Sequence, residues 1–281
     1  MYLRSVMIFT LALSGCGTTS GVREFQTYAR AFDAVEDASD AVLNEIAASE
    51  RREEISLLDS ASNLRISETL LRQDIALFAP SADPPFVQSM RFAVASVAKF
   101  NDAMLAYAEG RAIGILTNQI GEIRAAGVGF EAPVAGAEAG FSNPIKKLTI
   151  GLEILANVGS REAFRSQLSG AVLELDNLLD VLINNSDTAF KSLTAPDFAE
   201  LRNVRQVNSP EANSIRARIS KKRAMLAEWL YLIQLSRSAL ADAVAAIEAP
   251  QSSSSRLVEA AVVAGDLMAR ADMIKRLATE N

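Results

Sequence analysis

Arg216, Arg218, Lys221, Lys222 and Arg223 form the strongest local excess of one charge in the chain. From Glu200 to Arg223 there are seven basic and two acidic residues, a balance of +5. Such a cluster could hold lipid head groups, lipopolysaccharide phosphates or an acidic partner. It falls in the first turns of a helix expected to start after Ser209, where the macrodipole disfavours cations. The plainer reading is a solvated face. The run from Glu24 to Glu45, with six acidic residues and one Arg, could pair with it across the fold. Exposed pairs of that kind add little stability.

Other chemistry has little to stand on. The 281 residues include no His and one Cys, Cys16. Zinc sites built on Cys and His, His-dependent triads, His-ligated haem and Glu-x-x-His di-iron sites are thereby excluded or crippled. One Cys also excludes an intrachain disulfide. Gly127-Val128-Gly129 superficially suggests a phosphate loop, but no strand precedes it and no Lys-Ser/Thr pair follows. It reads as a flexible connection. Gly110 and Gly114, with Ala106 and Gly121, have the spacing of close helix packing. Asp and Glu are plentiful, but no pair stands apart from ordinary surface charge. Trp229 and Tyr231 lie among apolar neighbours and read as core.

Composition sets the frame. Of the residues 49% are hydrophobic, 22% charged and 6% aromatic, enough for a sizeable core in one or two domains. The formal charge of −6 makes a poor general nucleic-acid binder, which needs a basic surface to release counterions.

The N-terminus reads as an address. MYLRSVMIFTLALSGCGTTSGV carries Arg4, then an apolar stretch from Val6 to Leu13, then small residues. That is the order and size of a secretory signal, too short to span a bilayer as a helix. Leu13-Ser14-Gly15-Cys16 resembles the lipobox of bacterial lipoproteins. The resemblance implies a diacylglycerol on Cys16, cleavage before it and acylation of the new amine. Gly17 in place of Asp points by analogy to the outer membrane. More than one acyl chain makes such anchoring stable. Residues 1–15 are then the signal peptide, 16–22 a lipidated tether, and the charge falls from −6 to −7 with the loss of Arg4.

The remaining residues, 23–281, read as a single all-α domain. No Gly or Pro interrupts Val22 to Ala79, and Phe25, Tyr28, Phe32, Val35, Ser39, Val42 and Ile46 recur at helical spacing. One long helix is expected, with a hairpin near Arg51 as the alternative. Pro80, Pro84 and Pro85 end it. A second helix should run from Phe86 to Arg124, followed by a loop at 125–143. Asn143-Pro144 reads as the next helix start, Thr194-Ala-Pro-Asp197 as another, and Ser209-Pro210-Glu211 as the clearest. A stripe of Phe164, Leu168, Ala171, Leu175, Leu178, Leu182 and Phe190 follows a break near Gly159. The last helix should end near Thr279. A helix of 40 residues is about 60 Å long, so the expected object is an elongated antiparallel bundle of four to five main long helices.

The function these features imply is a non-enzymatic, lipid-anchored envelope protein on the periplasmic side of the outer membrane. It would act as a scaffold or adaptor through helix-face contacts with an envelope partner, without cofactor, metal or nucleic acid. The alternative is a lipid-handling or membrane-shaping protein, and a carboxylate-based hydrolase comes third. Cys16 is the lipidation site, and the five cations with the 125–143 loop are the first contact surfaces. Reversing the charge of Arg218, Lys221 and Lys222 is expected to weaken partner capture without unfolding.

Overall fold

The computed structural model describes residues 22–61, 83–128, 139–248 and 254–279. Among them are eight helices and no strand. They are α1 (Val22–Ala61), α2 (Pro85–Ala108), α3 (Ile113–Val128), α4 (Ala139–Ala156), α5 (Arg161–Asn184), α6 (Ser186–Asn203), α7 (Pro210–Glu248) and α8 (Ser254–Thr279). The chain is an all-α bundle, as its periodicity predicts. Cys16, the signal segment, tether residues 16–21, residues 62–82 and residues 129–138 of the expected loop lie outside the described residues.

Helix α1 is the axis. It is 40 residues long and passes Arg51 without a hairpin. Four helices pack on it: α8 most extensively, then α2, α7 and α6. Its predicted stripe is buried throughout, from Phe25 to Ile46. Ser39, the one polar member, has a specific role. Trp229 Nε1 on α7 donates to Ser39 Oγ at 2.9 Å, and Ser39 Oγ donates to the Val35 carbonyl at 2.7 Å. The indole is fully buried and its only donor is satisfied.

The pairs between helices give the directions. Arg91 on α2 meets Asp40 and Asn44, and α2 Asp102 faces Asp33, so α2 runs antiparallel to α1. Helix α7 is also antiparallel, with Trp229 at Ser39 and Ala239 and Ala243 beside Tyr28. Helix α8 lies alongside α1 in parallel. Its Arg256 and Ala260 flank the cavity that Glu24 and Tyr28 also line, and Lys275 reaches Asp37 at 3.1 Å. Helices α2, α3, α4 and α5 pack in succession as a second group, tied by Tyr107 stacked on Phe164 at 5.1 Å. One contiguous apolar core has members from all eight helices.

Several expected boundaries move, each for a local reason. The helix expected over 86–124 divides at Gly110, whose φ of 77° suits glycine. Gly110 N–H donates to the Tyr107 carbonyl and Arg111 N–H to the Ala106 carbonyl, which is a Schellman ending. A Cβ at Gly110, Gly114 or Gly121 would meet open space, so this glycine spacing ends a helix rather than packing one closely. Helices α3 and α4 extend into the expected 125–143 loop from both sides, to Val128 and from Ala139. Pro144 and Pro196 sit inside helices instead of opening them. Burial of Phe141, edge-on to Phe86 at 6.2 Å, draws α4 past its proline. Ser209 does cap α7, accepting from Ala212 N–H at 3.1 Å. Ser160 does the same for α5 through Ala163 N–H.

Ser39→Ala leaves the Trp229 N–H buried without an acceptor. It should cost about 1–3 kcal/mol, read by urea unfolding followed through the fluorescence of this single Trp, with no loss of helicity at zero denaturant.

Candidate functional site

The basic cluster is not one surface. Lys222 is only 4% exposed. Its Nζ donates to Asp197 at 2.7 Å and to the Leu193 carbonyl at 3.0 Å, both on α6. Pro196 lacks the N–H that would close its turn onto Ser192, and the ammonium enters α6 beside that irregular turn. Arg218 Nε donates to the other Asp197 oxygen at 3.0 Å, and its Nη2 pairs with Glu200. The exposed Arg223 sets its guanidinium 5.0 Å from the centre of the Phe190 ring, and the half-buried Arg216 donates to Asn213. Lys221 is half-buried.

The expectation of five cations offered to an anionic partner is therefore corrected for Lys222 and Arg218, which fasten α7 to α6. Reversing Lys222 would place two carboxylates in one buried site, so the triple reversal tests folding rather than contact. The expected pairing of basic and acidic runs with each other is also replaced. The basic run is met by Asp197 and Glu200. From the acidic run, Asp37 pairs with Lys275 and Asp40 with Arg91. Burial, then repulsion from neighbouring acids that include Asp37 and Asp102, raises the Asp33 and Glu36 carboxyls above their ordinary range. Among the described residues no group of three acidic or Cys side chains is arranged to hold a metal.

Two features escaped the sequence reading. The first is a cavity of about 290 Å³ between α1, α7 and α8. Its apolar wall includes Ala239, Ala243, Ala260, Ala264 and Leu267. Its polar lining is Glu24, Tyr28, Asp242, Arg256 and Glu259. Burial pushes the Tyr28 phenol far above its ordinary value, and the nearby Asn101 carboxamide offsets only part of this. Glu24 is 5% exposed, and among the described residues no hydrogen bond or ion pair reaches its carboxylate.

The second feature is the outer face of α8. Val258 and Val262 are 63% and 67% exposed, and Gly265, Ala269 and Met273 continue the same exposed stripe with Met268 beside it. The opposite face buries Ala264, Leu267, Ala271 and Ile274. A helix apolar on both sides was the available signal. Tyr231, read as core, is instead 49% exposed on α7, with the Arg270 guanidinium 4.3 Å from its ring centre.

Burial raises the pKa of the Asp197 carboxyl, but hydrogen bonds from Lys222 and Arg218 outweigh that and hold it below the carboxylate range. A depressed carboxyl stabilises the fold above its unfolded value, near 3.9, and that contribution is lost as pH falls through the folded value. Between about pH 5 and pH 3, stability should fall more steeply for the wild type than for Asp197→Asn. Lys222→Met should cost about 3 kcal/mol at neutral pH, whereas Arg223→Glu should stay within about 0.5 kcal/mol of wild type. Chemical denaturation across pH checks all three.

Comparison of the chain with protein-family models, with curated proteins and with solved structures finds no match in any of the three.

Proposed function

We propose that this chain is a non-enzymatic, lipid-anchored envelope protein that serves as a scaffold or adaptor, recognising its partner through a helix face. The observation that carries the recognition half is the apolar stripe on α8. Val258, Val262, Ala269 and Met273 lie one to two turns apart on the solvent side of a helix whose other side is fully engaged. Apolar surface of this kind, continuous along a helix, suits a second amphipathic helix laid against it. The partner fitted to it is a helical protein with an apolar stripe of its own. Arg216 and Arg223, at the other end of α7 from the α7–α8 turn, remain as secondary contacts for an acidic surface.

The anchoring half rests on Leu13-Ser14-Gly15-Cys16. No helix among the described residues is long and apolar enough to cross a membrane. A lipid on Cys16 would supply membrane attachment by other means. The lipid-handling alternative gains little from the cavity. At about 290 Å³, with three acids in its lining, it suits a small cation better than an anionic or two-chain lipid.

Two measurements test this reading separately. The intact mass of membrane-extracted protein should match residues 16–281 plus acyl chains, and Cys16→Ser should abolish both the added mass and the membrane fractionation. An unmodified chain in the soluble fraction would sink the anchoring. In-cell crosslinking from α8 should capture a discrete envelope protein, and Val258→Asp with Val262→Asp should lose that product while the melting temperature changes little. An unchanged crosslinked product would remove α8 from the interface.

A further inference from the structure

A carboxylate withdrawn from water needs compensation, usually an ion pair with further hydrogen bonds. The other buried acid among the described residues, Asp197, has both in Lys222 and Arg218. Among the described residues Glu24 has neither, although it is 95% covered by the protein. What remains accessible of it belongs to the lining of the α1–α7–α8 cavity. Its place in the first turn of α1 is favourable through the helix dipole. That contribution is small beside the loss of hydration.

The surroundings select the charge and shape of what would complete this site. Asp242 and Glu259 add two further acids against the single Arg256, so the field within the cavity favours a cation. Between these charged groups and the Tyr28 phenol the wall is alanine with Val263 and Leu267, which offers contact to an aliphatic chain. The volume, about 290 Å³, equals that of about ten waters in the liquid. It holds a short chain and a head group and excludes a folded peptide or a whole phospholipid.

We infer that the cavity between α1, α7 and α8 is a binding site for a small aliphatic amine, its ammonium held by Glu24 and its chain lying along Ala243, Ala264 and Leu267. The ammonium supplies the missing counter-ion, and the alkyl chain displaces water from the alanine part of the wall. Specificity is for positive charge joined to an unbranched apolar body. A carboxylate of the same length meets repulsion from all three acids, and an alcohol of the same length leaves Glu24 uncompensated. The site is independent of the α8 outer face, since Val258 and Val262 do not line it.

The test is calorimetric titration of the full-length chain with hexylamine, alongside hexanoate and hexan-1-ol, each to about 10 mM. Saturable binding of one hexylamine per chain is expected, with hexanol at least about tenfold weaker and hexanoate silent. Glu24→Gln should weaken hexylamine at least about tenfold. It should also melt no lower than wild type without ligand, because an uncompensated buried charge has been removed. Ala264→Leu fills the apolar wall and should abolish hexylamine binding while Glu24 is intact. Absence of saturable hexylamine binding, equal affinity for hexanol, or undiminished binding by a folded Glu24→Gln variant would each overturn the assignment. Weak heats that scale with concentration and vanish in added salt would mark attraction to surface acids only, and would equally reject it.

Discussion

A helix enclosed by four others has almost no surface to spare for charge, and the rest of this bundle is arranged around that constraint on α1. Along most of its buried length the side chains are apolar, or small enough to be satisfied internally. Ser39 meets the second condition by bonding its own helix and receiving the Trp229 indole. That hydrogen bond joins the two longest helices near the middle of the core. Of the acids of α1, Asp37 and Asp40 meet a cation from another helix, Asp33 and Glu36 are crowded by other acids, and Glu24 is buried at the cavity. Long-range register in this fold is therefore written in a few cross-helix cations. Arg91, Lys222, Arg237 and Arg270 each reach a carboxylate on another helix, at Asp40, Asp197, Asp176 and Glu228 respectively.

The local pattern of the chain made its fold class legible. Stripes at helical spacing mark the buried faces of α1 and α5 almost residue for residue, because each of these helices has one dominant apolar side. Helix ends were legible where a cap is chemically unambiguous, as at Ser209. They were misread where proline or glycine serves two roles. Pro144 and Pro196 look like boundaries, but burial of Phe141 on one side and of Leu193 and Thr194 on the other outweighs the lost hydrogen bonds. Gly110 looks like a packing residue and is a helix terminator, a distinction that depends on its φ and not on its spacing.

The site residues were less legible, for a different reason. A charge run in sequence says nothing about which members turn inward. Lys222 and Arg223 are adjacent, yet one is enclosed against α6 and the other is at the surface. Adjacent residues on a helix point about 100° apart, so a dense cluster is divided between core and solvent by the position of the next helix. The α1–α7–α8 cavity was hidden more thoroughly. Its alanines resemble ordinary core, and its acids belong to three helices whose meeting depends on α8 lying parallel to α1.

That parallel pairing has a consequence for the order in which the molecule can assemble. Helix α1 is the first described element to be synthesised and α8 the last, and Asp37 and Lys275, which meet in the fold, are 238 residues apart in the chain. At a synthesis rate of 5–20 residues per second, roughly 10–50 s separate their appearance. Throughout that interval the longest apolar stripe in the protein has no covering helix from the C-terminal end. The α2–α5 group can close early through neighbours in sequence, but the axis of the bundle cannot. Closure of the α1–α8 seam is thus delayed by topology until the chain is nearly complete, and until then α1 can be covered only by helices made earlier, α2 first among them.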